Sequence, residues 1–424
     1  MNDLLAVLKR YNFWDNNFPN LGVTRQANLS KLTNFVGNRL VKVVVGQRRT
    51  GKSFLLRQVI RELIESGIPP SNIFYLNKEY TDFDFVSDYQ ELDKLIRSYL
   101  EWIQPKGKVF LFIDEIQDIT GWEKLVNSYS QDHTAEYEIF ISGSNAHLLS
   151  GELATLLSGR YVQFEVFPFD YAEYLDSLGL ASGKESYQQY MFSGGLPELM
   201  HLHNNEMRRN YLSSIRDAIL LRDVVQRFNV KDSRLLEDIF AFLVNNAANL
   251  VSVNNIIHWF ESKNRKTNYE TVSNYIAYLT STFIVHRAER YHIKGKEVMA
   301  GNCKYYSNDL SFKNYIYPGF SYGYGYLLEN LVYLNLRQAG FDVYVGFLRN
   351  REIDFVAKKA DRTIYLQVAY TLTEPNTIER EYAQLESIDD HFEKYVVSMD
   401  DLTLPNRNGI KHVQAWNFDR VINP

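Results

Sequence analysis

The sequence predicts an α/β chain: a parallel sheet wrapped by helices in the first part, a helical segment closing in a hairpin, then a smaller α/β unit. Three observations carry this. A glycine-rich loop joins an apolar strand to an amphipathic helix, a second apolar strand ends in paired carboxylates, and past residue 320 one apolar helix is followed by short strands. A chain of 424 residues with 45% hydrophobic content can bury two or three cores. The expected domains are 1–228, 229–315 and 316–424.

Residues 1 to about 35 read as amphipathic helix, with Leu4, Leu5, Val7 and Leu8 available for packing. Residues 41–45 are apolar enough for a buried parallel strand. Gly46-Gln47-Arg48-Arg49-Thr50-Gly51-Lys52-Ser53 then completes G-x-x-x-x-G-K-[ST], and residues 54–66 carry Leu55, Leu56, Val59, Ile60, Leu63 and Ile64 on one helical face. In such a loop the glycines let backbone wrap a phosphate, and free N–H groups at the helix start act as donors. Lys52 adds a charge toward the β- and γ-phosphates, and Ser53 is left to hold Mg²⁺.

Residues 73–76 read as a second strand, followed by a long helix whose Leu92, Ile96, Tyr99 and Leu100 face a core. Residues 109–113 form an apolar run ending in Asp114-Glu115, the pattern of a Walker B element. Asp114 would hold Mg²⁺ and Glu115 would orient or deprotonate the attacking water. Residues 138–142 give a further strand, ending in Gly143-Ser144-Asn145. Residues 161–167 give the last strand of this part, stopped by Pro168, and residues 170–228 read as helices interrupted near Gly194-Gly195.

The phosphate loop, Asp114-Glu115-Ile116-Gln117 with Trp122 behind it, Ser142-Gly143-Ser144-Asn145 and Leu157-Ser158-Gly159-Arg160 together resemble a prokaryotic AAA-type ATPase. The resemblance implies ATP binding with slow hydrolysis and no defined substrate. It places Asn145, or Ser144, where a sensor 1 residue contacts the γ-phosphate or the attacking water, although a Ser-Asn turn requires no function. It makes Arg160 a candidate arginine finger, acting in cis or in trans, although a surface arginine would read the same.

Residues 233–310 read as helix, helix, turn, helix and hairpin, similar to a winged-helix unit. Residues 258–304 hold eight basic side chains (Lys263, Arg265, Lys266, Arg287, Arg290, Lys294, Lys296, Lys304) against four acidic ones. Such a face suits DNA phosphates, or a protein partner if the unit only packs. From about 320, a helix ending near Gly340 precedes strands at 343–347, 353–357 and 364–368. Glu329, Glu352, Asp354 and Gln367 resemble the acidic positions of a restriction-endonuclease-like (PD-D/E-x-K) fold. That pattern wants acid-x-Lys on the third strand, and this chain reads Gln367-Val368-Ala369. The lysine that would activate water is missing, with Lys358, Lys359 and Lys394 as substitutes nothing positions.

Composition narrows the classes. A net charge of -5 and a pI near 6.0 exclude a chain coated in positive charge. The single cysteine, Cys303, excludes an intrachain disulfide and a multi-cysteine metal cluster, which fits a reducing compartment. No basic region followed by an apolar stretch opens the chain, and no apolar run approaches a membrane span. The expectation is a cytoplasmic, Mg²⁺-dependent ATPase binding ATP and ADP, whose nucleotide state controls a C-terminal recognition region. The alternatives are a nucleotide-gated DNA- or protein-interaction module with little turnover, and a nuclease in the C-terminal domain.

Overall fold

A computed structural model describes residues 2–15, 18–149, 157, 159–318, 323–349 and 351–423. The chain divides into two compact units, Met1–Val166 and Phe167–Pro424.

In the first unit, strands β1 (Val41–Val45), β2 (Ile73–Asn77), β3 (Val109–Asp114), β4 (Tyr137–Gly143) and β5 (Tyr161–Glu165) form one sheet in the order β2-β3-β4-β1-β5. Every neighbouring pair is parallel. The mostly apolar, buried strands β1 to β4 suit this arrangement, because strands covered on both faces have no solvent side to alternate toward, whereas the edge strand β5 is only half-buried. The helices are α1 (Asn2–Tyr11), α2 (Gln26–Thr33), α3 (Lys52–Glu65), α4 (Tyr89–Ile103) and α5 (Trp122–Gln131). The chain leaves β1 toward β2 on one side and places β5 on the other. The C-terminal end of β1 is therefore a point where connections diverge, the usual position of a ligand crevice in such sheets.

Two polar devices in this unit have no counterpart in an apolar pattern. Lys42 and Glu138, on adjacent strands and both with fully buried side chains, pair at 2.6 Å. Asn12, just past α1, exchanges hydrogen bonds with the backbone of Tyr75 on edge strand β2 (2.6 and 3.1 Å), covering part of that edge.

In the second unit, helices α6 (Tyr171–Leu178), α7 (Lys184–Ser193) and α8 (Asn205–Ala218) lead into a π-helical stretch, Ile219–Gln226. Next come α9 (Ser233–Asn245), β6 (Leu250–Val251), α10 (Val253–Ser262), α11 (Tyr269–Ser281), β7 (Val285–His292) and β8 (Glu297–Ser307). The remainder is α12 (Tyr324–Gln338), β9 (Asp342–Leu348), β10 (Arg351–Lys359), β11 (Arg362–Val368), α13 (Pro375–Glu386), β12 (Glu393–Ser398), β13 (Ile410–Gln414) and α14 (Asp419–Ile422).

All eight strands join one mixed sheet, in the order β13-β12-β11-β10-β9-β7-β8-β6. The link is a parallel pairing of β7 with β9, Arg290–His292 against Val345–Phe347. This differs from the separate units 229–315 and 316–424 read from sequence, because strands paired across some fifty residues leave no local signal. Compactness likewise breaks at Val166 rather than near 228, since the apolar faces of residues 167–226 pack with the second unit's helices and sheet. Among the described residues no helix is long and apolar enough to cross a membrane.

Candidate nucleotide site

The loop from β1 to α3 starts at Gly46, whose φ is +150° and whose position a Cβ could not share with the Val166 carbonyl. The chain passes β5's exit so closely there that only glycine fits. Thr50 donates to the Gln47 carbonyl (2.9 Å) and accepts, through its own carbonyl, a hydrogen bond from Arg25 (2.9 Å). Arg48 pairs with Glu79 at 2.8 Å. Lys52, 4% exposed, donates to the carbonyls of Gly46 (3.0 Å) and Gln47 (3.1 Å) and lies 3.8 Å from Glu115. Its ammonium is thus folded back onto the carbonyls of its own loop.

Asp114 ends β3 beside this loop. Its carboxylate accepts from the Tyr75 hydroxyl (3.1 Å), the Asn77 amide (3.0 Å) and the Ser142 hydroxyl. Burial, and then the neighbouring Glu115, push its carboxyl above the ordinary range, while the hydroxyls of Ser142 and Ser53 and the charge of Lys52 pull the other way. Ser53 and Asp114 therefore sit together. Oxygen donors in a buried, charge-deficient position fit Mg²⁺, which takes one or two protein oxygens and completes its shell with water and phosphate.

Glu115 follows with φ +55°, a conformation unusual for a side chain of its size. Its N–H donates to Ser142 (3.1 Å), and its carboxylate accepts from the Gln117 amide (2.5 Å). Ser144 and Asn145, both buried, follow β4 at the same sheet edge. Among the described residues the Ser144 hydroxyl has no hydrogen-bond partner.

Arg160 is placed elsewhere. It is exposed and precedes β5, and its carbonyl accepts from Val41 N (2.9 Å) at the start of β1. That is the opposite edge of the sheet, about 16 Å from the phosphate loop at 3.3 Å per residue. Within its own chain Arg160 cannot reach a phosphate held at Lys52. Ser158, next to it in the motif, lies outside the described residues.

Tyr75 and Asn77 were not singled out in the sequence, and Ser142 and Gln117 stood in its motifs without a role. The signal was present for two of them: Asn77 ends apolar strand β2 as Asp114 ends β3, and Ser142 interrupts an apolar run next to its end. Polar residues at the C-terminal ends of parallel strands line the crevice.

The C-terminal acidic positions form a second locus, beside a cavity of about 480 Å³. Gln367 is no ligand there. Its carbonyl accepts from Asp354 N (2.7 Å), and its amide donates to Glu381 (2.8 Å) and Gln384 (2.5 Å). Lys358, Lys359 and Lys394 are turned to Tyr291, the Ala339 carbonyl and the Ile388 carbonyl. A lysine does enter the cluster, from the hairpin: Lys304 Nζ lies 2.8 Å from Glu329 and 2.7 Å from Glu352. Burial opposes its charge, but Glu329, Asp354 and Glu352 outweigh that and raise its pKa. Burial, and then Glu329, hold the Asp354 carboxyl well above its usual range. Among the described residues no three acidic, His or Cys side chains are grouped to hold a metal.

The basic face shrinks accordingly. Lys304 is consumed by the acidic cluster, and Arg265 pairs with both Asp232 (3.0 Å) and Asp238. Lys263 lies over the Trp259 ring (3.7 Å) and Arg290 over Phe347 (4.2 Å). Lys294 and Lys296 stand exposed in the turn between β7 and β8.

Comparison with known proteins bears on the first unit most directly. A family profile described as an AAA domain matches residues 38–175, and one described as a domain of unknown function (DUF8612) matches residues 184–320. An uncharacterized protein of Haemophilus influenzae is 36% identical over 380 residues, spanning 89% of this chain and 93% of that one. An uncharacterized protein of Methanocaldococcus jannaschii is 28% identical over 383 residues, spanning 87% and 80%. Among solved structures, a Walker-type ATPase of Pyrococcus abyssi aligns with a TM-score of 0.46 at 16% identity, covering 68% of this chain and 94% of that one. AMPPCP-bound DnaA from Aquifex aeolicus aligns with a TM-score of 0.31 at 16% identity, covering 64% and 91%. An AAA-type phosphate-loop domain occupies the first unit, and the chain belongs to the same family as the Haemophilus influenzae protein.

Proposed function

We propose that the chain is a Mg²⁺-dependent ATPase whose nucleotide state controls its C-terminal region. The observation that carries this reading is the convergence of Lys52, Ser53, Asp114 and Glu115 at one edge of the parallel sheet, around a loop shaped for phosphate. In this reading the backbone from Gly46 to Gly51 cradles the phosphates of ATP, and Lys52 exchanges its two loop carbonyls for phosphate oxygens. Ser53 and Asp114 would hold Mg²⁺. When bound, that ion neutralises charge on the phosphate oxygens. Glu115 orients the attacking water and takes its proton, and Asn145 or Ser144 contacts the γ-phosphate side of the site. Arg160 could serve only a nucleotide in a neighbouring copy. Steady-state phosphate release by wild type and Glu115→Gln, with analogue binding measured in parallel, tests the reading. No turnover by wild type would overturn it, and turnover that survives Glu115→Gln would move the water-positioning role to another residue.

A second reading, a nucleotide-gated interaction module with little turnover, draws support from the element order helix, strand, helix, helix, hairpin over 233–307. That order is the one of a winged-helix unit, and the exposed Lys294 and Lys296 at the hairpin tip suit a phosphate backbone. A C-terminal nuclease draws less support, because Lys304 occupies the carboxylates that would face a metal. The C-terminal unit is better read as a scaffold.

A further inference from the structure

We propose that Gln117 is a positioning residue for Glu115, seated by Gly143, in the ATP hydrolysis proposed above, on which this inference rests. The left-handed backbone at Glu115 turns the chain sharply into the 3-10 segment Ile116–Asp118, which brings the Gln117 side chain back over the carboxylate two residues earlier. The Gln117 amide donates to Glu115 Oε2 at 2.5 Å, while Glu115 Oε1 lies 3.8 Å from Lys52 Nζ. A carboxylate can only accept, so the NH₂ end of the amide must face it. That leaves Gln117 Oε1 pointing the other way.

There it meets β4. Gln117 Oε1 is buried without a hydrogen-bond partner among the described residues, and it lies so close to Gly143 that a Cβ at that position would collide with it and with Leu148. Gly143 has ordinary backbone angles and is needed only for this close approach. Its neighbours in sequence are Ser142, which holds both Asp114 and the Glu115 N–H, and the buried Ser144. The amide is thus clamped between the general-base candidate and the strand that carries the γ-phosphate contacts. One oxygen of Glu115 is taken, and the other is directed toward the phosphate-binding lysine. A base held in one orientation loses less rate to misplacement than a freely rotating one.

The test is steady-state kinetics on the full chain with Mg²⁺-ATP, comparing wild type, Glu115→Gln, Gln117→Ala, Gln117→Met, Gly143→Ala and the Gln117→Ala/Gly143→Ala double variant. Methionine keeps the length and bulk of glutamine without its donor. We expect Gln117→Ala and Gln117→Met each to lower kcat by about tenfold or more with KM changed less than about twofold, the mark of a group acting in the chemical step. Gly143→Ala should lower kcat similarly, and the double variant should lose less than the product of the two single losses, because with the amide gone the added methyl meets only Leu148. Melting temperatures and the dissociation constant for a Mg²⁺-ATP analogue should stay near wild type in both Gln117 variants. Wild-type kcat in Gln117→Met, or independent losses multiplying in the double variant, would overturn the positioning role while Glu115-dependent turnover stands. Absence of turnover by wild type would overturn the ATPase reading and this inference with it, whereas turnover that ignores Glu115→Gln would overturn this inference alone.

Discussion

Lys304 Nζ lies 2.8 Å from Glu329 Oε1 and 2.7 Å from Glu352 Oε1, so a lysine of the hairpin fills the place between these carboxylates. Both side chains are nearly buried, and the Tyr306 hydroxyl donates to the same oxygen at 2.8 Å. Removing one partner of such a pair strands the other charge. Lys304→Met should therefore destabilise the chain by about 3 to 5 kcal/mol, and the Lys304→Met/Glu329→Gln double variant should lose less than the two singles combined. Urea unfolding of the three variants checks this. Wild type should show no Mg²⁺- or Mn²⁺-dependent cleavage of DNA or RNA, and cutting that vanishes in Asp354→Ala would restore the nuclease reading.

Lys52→Ala should weaken binding of a Mg²⁺-ATP analogue by at least about tenfold, because a charged contact to phosphate is worth about 1.5 to 3 kcal/mol. Titration calorimetry reads this directly. An unchanged dissociation constant would remove the phosphate loop from the site.

The two acids after Ile113 should separate by role. Glu115→Gln should bind nucleotide normally and hydrolyse it about a hundredfold more slowly or worse, whereas Asp114→Asn should also lose Mg²⁺ dependence. Phosphate release measured across a Mg²⁺ titration distinguishes them.

Asp114 should also set a pH dependence of stability in the nucleotide-free protein. Its carboxyl is raised in the folded chain above the ordinary value of 3.8, first by burial and then by Glu115. The folded state therefore binds this proton more tightly than the unfolded state does. The resulting stabilisation is complete below the unfolded value and is lost as pH rises through the folded one. The melting temperature of Asp114→Asn minus that of wild type should accordingly grow from pH 3.5 upward and then level off. A difference that shrinks with rising pH would contradict the placement of this carboxylate.

Lys294 and Lys296, exposed at the hairpin tip, should contribute phosphate contacts to a weak, salt-sensitive affinity for duplex DNA. Replacing both with Glu should weaken binding to all sequences alike, as fluorescence anisotropy at low salt would show. No binding by wild type under those conditions would leave the hairpin as a packing element.

Much of the first unit was legible because its chemistry is local. The loop 46–53, the strand end at Asp114 and the Ser-Asn turn each announce themselves within a few residues, and the parallel sheet gathers them by strand direction alone. Arg160 was left open between finger and surface residue for the complementary reason. Its motif says nothing about which end of β5 it stands on, and one strand length separates a phosphate contact from solvent. Gln117 was hidden because its role depends on the left-handed turn at Glu115, and Tyr75 because a buried tyrosine on a strand reads as core. In the second unit the acidic positions were visible and their lysine was not, since Lys304 reaches Glu329 only once β7 has paired with β9. A charge sum over residues 258–304 counts Lys304 toward a basic surface, because it cannot see which members are already neutralised.

The parallel seam between β7 and β9 makes the hairpin indivisible from the C-terminal strands. A fragment ending near residue 315 would keep all the helices from α6 to α11 and still be unsound: Arg290–His292 would present bare backbone groups, and Lys304 would lose both of its counter-charges, Glu329 and Glu352.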